Sequence, residues 1–379
     1  MDFLFEGING LSWKEPVMWL IGFILIYLAI KRDMEPMLLL PIGLGCILVN
    51  MPLTNVLNEV AADGTIITPG ILDWLFEVGV NTSEAMPILL FIGIGAMIDF
   101  GPLISNPKLM LLGGFAQLGI FITILFASLT GVFEIGDAAS IGIIGAADGP
   151  TSILVARALG SNYLGAITIV AYSYMALVPI IQPPVIKLVT TKKQRLIRMD
   201  DQIIKPVSKT VRILFPIVIT LISGLIAPKS LALIGFLMFG NLLRECGVLN
   251  QLSKTAQNEL VNLITLLLGI TIASQMRAEA FLSLETLMIV GLGLFAFIFD
   301  TIGGVLFADV MNLFLKKKIN PMIGAAGISA FPMSARVVHK LGRKEDPTNY
   351  LLMHAVGANV SGQVASAIVG GLIIALVLG

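Results

Sequence analysis

Charge is what this sequence has least of. Asp, Glu, Lys and Arg make up 13% of its 379 residues, against 56% hydrophobic, whereas soluble domains carry about a quarter charged residues. That excludes a soluble globular protein. Thiol and imidazole are scarce as well, at two Cys and two His. Cys46 and Cys246 lie far apart in apolar or flanking helical context without metal-ligand spacing, and read as two buried free thiols. His339 and His354 form no ligand pair, so structural or surface roles suit both. No phosphate-binding loop, dinucleotide fingerprint or nucleophile triad is present. Energy for any transport then has to come from an ion gradient or from a partner's chemistry. The start, Met1 to Pro16, is mixed and the first apolar run follows it, so no cleavable signal is evident.

What is abundant is apolar sequence, in runs approaching the ~20 residues that cross a ~30 Å hydrocarbon core. The chain reads as an all-α polytopic membrane protein. Val17 to Ile30 ends at Lys31-Arg32, and Met37 to Leu53 follows Pro36, a residue suited to a helix start. From Asp33 to Pro107 there is no Lys or Arg, while Glu59, Asp63, Asp73, Glu77 and Glu84 accumulate. Excess positive charge marks the cytoplasmic side, so Lys31-Arg32 faces in and residues 54–83 face out. Gly70 to Val80 is too short to span and reads as interfacial. Met86 to Ile98 crosses inward and Leu109 to Leu129 outward.

Parity then requires a reversal. If Ala138 to Leu159 and Val170 to Ile186 were both full crossings, the most basic segment, Lys187 to Arg212, would lie outside. A re-entrant hairpin at 138–159 puts it inside, with its tip at Gly149-Pro150, since Pro removes a donor and clashes with the preceding turn. Such backbone is tolerated only where protein buries it or a wet cavity borders it. Ile213–Ala227, Leu231–Leu243, Leu260–Ala273 and Leu284–Leu315 continue the count, the last interrupted at Asp300 and Gly303-Gly304. A second hairpin, Pro321 to Leu341, dips from inside, and Leu351–Leu378 exits. The expectation is about nine spans and two hairpins. It divides into 1–83, a first repeat at 84–206, linking helices at 207–255, and a second repeat at 256–379 with its hairpin near 319–342.

The two hairpins look like copies. Asp148-Gly149-Pro150-Thr151-Ser152 with Val155, Leu159, Gly160 and Asn162-Tyr163-Leu164 matches Ala330-Phe331-Pro332-Met333-Ser334 with Val337, Leu341, Gly342 and Asn349-Tyr350-Leu351. The halves run in opposite directions, an inverted repeat of the elevator-like transporter kind, which puts a binding site between the hairpins near the midplane.

Asp148 is the sharpest candidate, since an ionisable residue in the apolar interior costs ~2.5–3.5 kcal/mol on insertion scales. The bland alternative is a helix cap near the surface. Its repeat mate is Ala330, so the site has one carboxylate, and the register pairs Tyr172 with Asn359 and Tyr174 with Ser361. A carboxylate with hydroxyl, amide and carbonyl oxygens suits a hard monovalent cation. Arg336 either holds a carboxylate in its fork or anchors the cytoplasmic face. Asn320, Gly324 and Ser329 lead into the second hairpin, as ligands, close-packing points or partners of freed backbone groups. Asp300 is a further intramembrane candidate, Asp99 and Asp137 read as interfacial, and the 187–212 cluster, Lys205 included, as an orientation signal.

Gly145-Ala146-Ala147-Asp148-Gly149-Pro150-Thr151, Asn320, Gly324 and the run Gly327-Ile328-Ser329-Ala330-Phe331-Pro332-Met333-Ser334-Ala335-Arg336 resemble the beta subunit of sodium-pumping biotin-dependent decarboxylases. These act on oxaloacetate, methylmalonyl-CoA, glutaconyl-CoA or malonate. The resemblance covers nearly the whole chain. It implies decarboxylation of carboxybiotin, delivered by a biotin carrier protein, coupled to export of Na+ across the cell inner membrane. It implies as partners a carboxyltransferase alpha subunit and a small membrane-anchored subunit, a homo-oligomer, and no nucleic acid. The family's sodium-binding aspartate falls on Asp148, and its second-motif asparagine, glycine, serine and arginine on Asn320, Gly324, Ser329 and Arg336. A functional tyrosine falls on Tyr174, beside Tyr172, and an asparagine of the last span on Asn359. In that picture Asp148, Tyr174 and Arg336 carry the chemistry, and Arg336 with Asn320 meets carboxybiotin. Phe331 departs from the pattern, which has a smaller residue there. The chain looks shorter than the oxaloacetate member. The rival reading is a secondary Na+-coupled symporter or antiporter without a catalytic partner.

Overall fold

The computed structural model describes residues 11–61, 65–199 and 206–379. Residues 1–10, Asp63 and Lys205, which entered the readings above, lie outside them. Nearly everything described is helical, apart from one small antiparallel pair, β1 (Glu59–Val60) with β2 (Ile66–Thr68). The helices that matter are α1 (Lys14–Arg32), α2 (Pro36–Val49), α3 (Ile71–Phe76), α4 (Ala85–Met97), α5 (Leu109–Phe115), α6 (Leu118–Leu129), α7 (Ile135–Gly142), α8 (Gly149–Ala158), α9 (Leu164–Val189), α10 (Lys192–Arg195), α11 (Lys209–Ile226), α12 (Leu231–Glu245), α13 (Asn250–Ala273, with a π-helical turn at Ala256–Leu260), α14 (Leu284–Phe314), α15 (Met322–Ala325), α16 (Met333–Glu345) and α17 (Leu352–Leu378).

Among the described residues six helices are long and apolar enough to cross a membrane: Leu109–Leu129 taken as one, α9, α11, α13, α14 and α17. α3, with the turn that extends it to Thr82, forms with α4 a pair bent by 67°. The chain is thus a helical polytopic membrane protein. Cys46 is buried as expected, but Cys246 is partly exposed at the end of α12; both thiols are free.

Both hairpins are present, and each is closed at its base. α7 runs on as a 3-10 turn to Ala146, Ala147 takes a left-handed φ of 52°, and Pro150 sits in the first turn of α8. Pro fits there because that turn has no intrahelical acceptor for its missing N–H. Asp137 accepts from Ser161 Oγ at 2.6 Å and from Asn162 N at 3.2 Å, so the hairpin's start and finish adjoin. Expected at an interface, Asp137 is a buried clasp.

The second hairpin is α15 and α16. Its two ends are bound to one strap at the end of α10: Asn320 Nδ2 donates to Arg195 O and Ile197 O, both at 2.9 Å, and Asn349 Nδ2 reaches the same two carbonyls. Arg195 pairs with Glu345 at 3.1 Å and Arg198 with Asp346 at 2.7 Å. The basic cluster is therefore more than an orientation signal, because part of it is the buckle of this hairpin. The Arg198 guanidinium, with help from Thr348, holds the Asp346 carboxyl down at about 2. A carboxylate lowered by folding contributes stability that is fully present above its unfolded value and is lost as pH falls through the folded one. Wild type and Asp346→Asn should therefore differ in melting temperature above about pH 4 and converge as pH falls to about 2. A gap that stays constant down to the lower pH would contradict the assignment.

One expectation is overturned. α14 is not interrupted at Asp300 and Gly303-Gly304; it is a continuous helix of 31 residues. The break lies in its neighbour, between α5 and α6, where Ile120 N donates to Asp300 Oδ1 at 3.1 Å. The carboxyl oxygen serves a free N–H of another helix's first turn, which has no intrahelical acceptor. The glycines are points of approach. A Cβ on Gly303 would stand 3.0 Å from Phe115 O, and Gly304 lies directly against the Gly324 carbonyl.

Candidate ion site between the hairpin tips

The tips touch: Ser329 N, at the tip of the second hairpin, donates to Ala146 O of the first at 2.9 Å. Two residues on, Asp148 is 4% exposed at the start of α8, and its Oδ2 accepts from Thr151 Oγ1 at 2.6 Å and Ser366 Oγ at 3.0 Å. The capping position is thus real, but it lies in the protein's interior.

α17 organises the junction. Asn359 Nδ2 donates to Ile328 O at 2.7 Å, Gln363 Nε2 donates to Ser329 O, and Ser366 binds Asp148. Positions i, i+4 and i+7 share one helix face, so a single stripe holds both tips. Ser329 Oγ in turn donates to Gly362 O at 2.9 Å. After these bonds, Asn359 Oδ1, Gln363 Oε1 and the Tyr172 hydroxyl remain buried without a partner. Buried polar atoms are nearly always satisfied, so three oxygens left over beside a carboxylate fit a hard cation.

Tyr172 lies against the break itself: a Cβ on Gly149 would fall on its ring. Tyr174 does not join it. Its hydroxyl donates to Val290 O of α14 at 2.5 Å. Two positions apart on a helix is a turn of roughly 200°, so the two tyrosines look opposite ways. Asn320 is spent on the strap, with Oδ1 accepting from Met322 N at 3.1 Å, and Gly324 on its contact with Gly304. The structure therefore brings together Asp148, Tyr172, Ser329 and Asn359, and sets Tyr174, Asn320 and Gly324 in supporting positions. Gln363 and Ser366 are members that sequence reasoning missed, although polar residues at helical spacing from Asn359 in an apolar span were a usable signal.

A cavity of about 320 Å³ reaches this junction. Asp148, Tyr172, Ser329 and Gln363 line it, together with Phe331, Glu35 and Arg336. Arg336 is exposed and, among the described residues, has no ion pair. Burial pushes the Glu35 carboxyl up, and Arg336 pulls it the other way. The cavity thus joins an exposed guanidinium, with Glu35 near it, to a buried carboxylate.

A helical membrane protein with a buried carboxylate where two broken helices meet, reached by a cavity that runs to an exposed arginine, has the build of an ion-transporting membrane subunit. The chain belongs to the family of the Na+-transporting oxaloacetate decarboxylase beta subunit, which it matches over residues 14–377. It is 47% identical to the methylmalonyl-CoA decarboxylase subunit beta of Propionigenium modestum, covering 98% of this chain and 96% of that one. It is 48% identical to the glutaconyl-CoA decarboxylase subunit beta of Acidaminococcus fermentans over 99% and 96%. A probable oxaloacetate decarboxylase beta chain of Vibrio cholerae is 42% identical over 98% of each. Membership favours decarboxylase-linked Na+ transport over a plain symporter or antiporter.

Proposed function

We propose that this chain decarboxylates carboxybiotin presented from the cytoplasm and couples that reaction to export of Na+. The observation that carries the reading is the cavity with Arg336 at its exposed rim and Asp148 at its buried end. Arg336 receives the carboxylate in a bidentate fork. Na+ is held by Asp148 with the unpartnered oxygens of Asn359, Gln363 and Tyr172, and Ser329 and the tip carbonyls complete the shell. In the reaction the bond from the ring nitrogen to the carboxyl carbon breaks, carbon dioxide leaves, and the nitrogen takes one proton. An Asp in a dry site can be neutralised by Na+ or by a proton. Asp148 therefore releases Na+ outward when a proton arrives, and hands that proton on toward the cavity.

Access alternates by movement of the hairpins and the spans that follow them. The architecture proposed for this is about nine spans and two hairpins in an inverted repeat, with repeats at 84–206 and 256–379. Its support is the pair of base-closed hairpins whose tips meet. Within the family pattern, we assign Tyr174, Asn320 and Gly324 to positioning. The complex we propose holds a biotin carrier, a carboxyltransferase alpha subunit and a small membrane-anchored subunit, with more than one copy of this chain, in the inner membrane.

The test is Na+ uptake into inverted vesicles carrying the whole complex. Supplying the carboxylated carrier should drive uptake, and removing external Na+ should slow release of carbon dioxide. Release at full rate without Na+ would overturn the reading.

A further inference from the structure

The cavity has one wall that the mechanism above leaves unused. Gln257, Asn258, Asn262 and Thr265 of α13 line it, along with Ser329, Phe331 and Arg336 of the second hairpin. Asn258, Asn262 and Thr265 stand at i, i+4 and i+7, one face of the helix. Asn262 lies near the start of the apolar part of α13, after Lys254 and Glu259. It is exposed, and its side chain makes no hydrogen bond among the described residues. Its amide lines the cavity, as polar side chains within spans do when they face an interior or a wet cavity. The helix is also wound as a π turn over Ala256–Leu260, a distortion that recurs at functional sites. Gly93 of α4 packs on that turn, where a Cβ would stand 2.9 Å from Ala256 O.

Resting on the function proposed above, we infer that this amide face is the binding site for the ureido ring of carboxybiotin, with the ring's carboxylate on Arg336. A cyclic urea presents a carbonyl acceptor flanked by ring nitrogens. An unpartnered carboxamide matches that with a donor and an acceptor on one side chain. Asn262 makes the central pair, Asn258 and Thr265 the flanking ones, and Phe331 covers the apolar part of the ring. Discrimination follows, because a site built to hydrogen-bond a polar group rejects an analogue that cannot return the bond.

The test uses the whole complex, with Na+ at saturation. Asn262→Leu should raise the KM for the carboxylated carrier about tenfold, the loss of a neutral hydrogen bond. It should leave kcat within about twofold and the Na+ dependence unchanged. Glu259→Gln, on the same helix and off the cavity, should change neither. A second measurement guards against simple misfolding: competition by free biotin and by an analogue whose ureido oxygen is replaced. Wild type should prefer biotin, and Asn262→Leu should narrow that preference severalfold. Unchanged KM and unchanged preference in the variant would overturn the inference. If wild type itself released carbon dioxide without regard to Na+, the underlying function would fail instead.

Discussion

Asp148→Asn is expected to abolish carboxybiotin-driven Na+ uptake while leaving the protein folded. Asn is isosteric, and its carbonyl can still accept from Thr151 Oγ1 and Ser366 Oγ, the two bonds that hold Oδ2. What disappears is the charge. Removing one partner of a buried ion pair costs about 3–5 kcal/mol, so apparent Na+ affinity should fall by at least about a hundredfold. Two readouts separate this from general damage. Na+ should raise the melting temperature of the wild type, since a ligand that binds only the folded state stabilises it, and should not raise that of the variant. In Na+-free buffer the variant should melt at or above the wild-type temperature, because the wild type then carries an uncompensated buried acid. A variant that keeps both the Na+-induced shift and the uptake would remove Asp148 from the ion site.

Much of this arrangement was legible in the sequence, because it follows from a few strong constraints. Lys and Arg parity demanded a reversal near Gly149-Pro150, and the fold has one, clasped by Asp137 and Ser161. The duplicated motif put a binding site between the two hairpins; that their tips touch, Ser329 N on Ala146 O, is what the structure adds. Composition could not say which way side chains turn. Tyr172 and Tyr174 both read as site residues, although residues two apart on a helix do not look into one site. Asp300 read as a sign of a broken helix because an acid and two glycines in an apolar run resemble a break. Only three-dimensional packing reveals that the break belongs to the neighbouring span and that Asp300 serves it. Asn320 looked like a ligand for a similar reason. A buried amide within a functional motif does not announce that both its donors go to a strap from residues 195–197.

Gly324 offers the sharpest contrast between motif and packing. It and Gly304 meet backbone to backbone. A Cβ on Gly324 would fall on the Gly304 carbonyl and 3.0 Å from Val305 N, and a Cβ on Gly304 would fall on the Gly324 carbonyl. Neither neighbour is the far end of a flexible side chain, so relief requires α15 to move off α14. Overpacking of this kind costs about 1–3 kcal/mol, occasionally more. α15 leads through the turn at Gly327 to Ser329 and the tip, so the displacement reaches the ion site. Gly304→Ala and Gly324→Ala should accordingly fail together, each lowering the melting temperature and reducing Na+ uptake severalfold or more. Gly304 lies outside the motif and away from the cavity lining, so packing alone predicts its equivalence to Gly324. If Gly324→Ala alone weakened Na+ binding while Gly304→Ala behaved as wild type, Gly324 would be acting on the ion directly, and its place among the site residues would be restored.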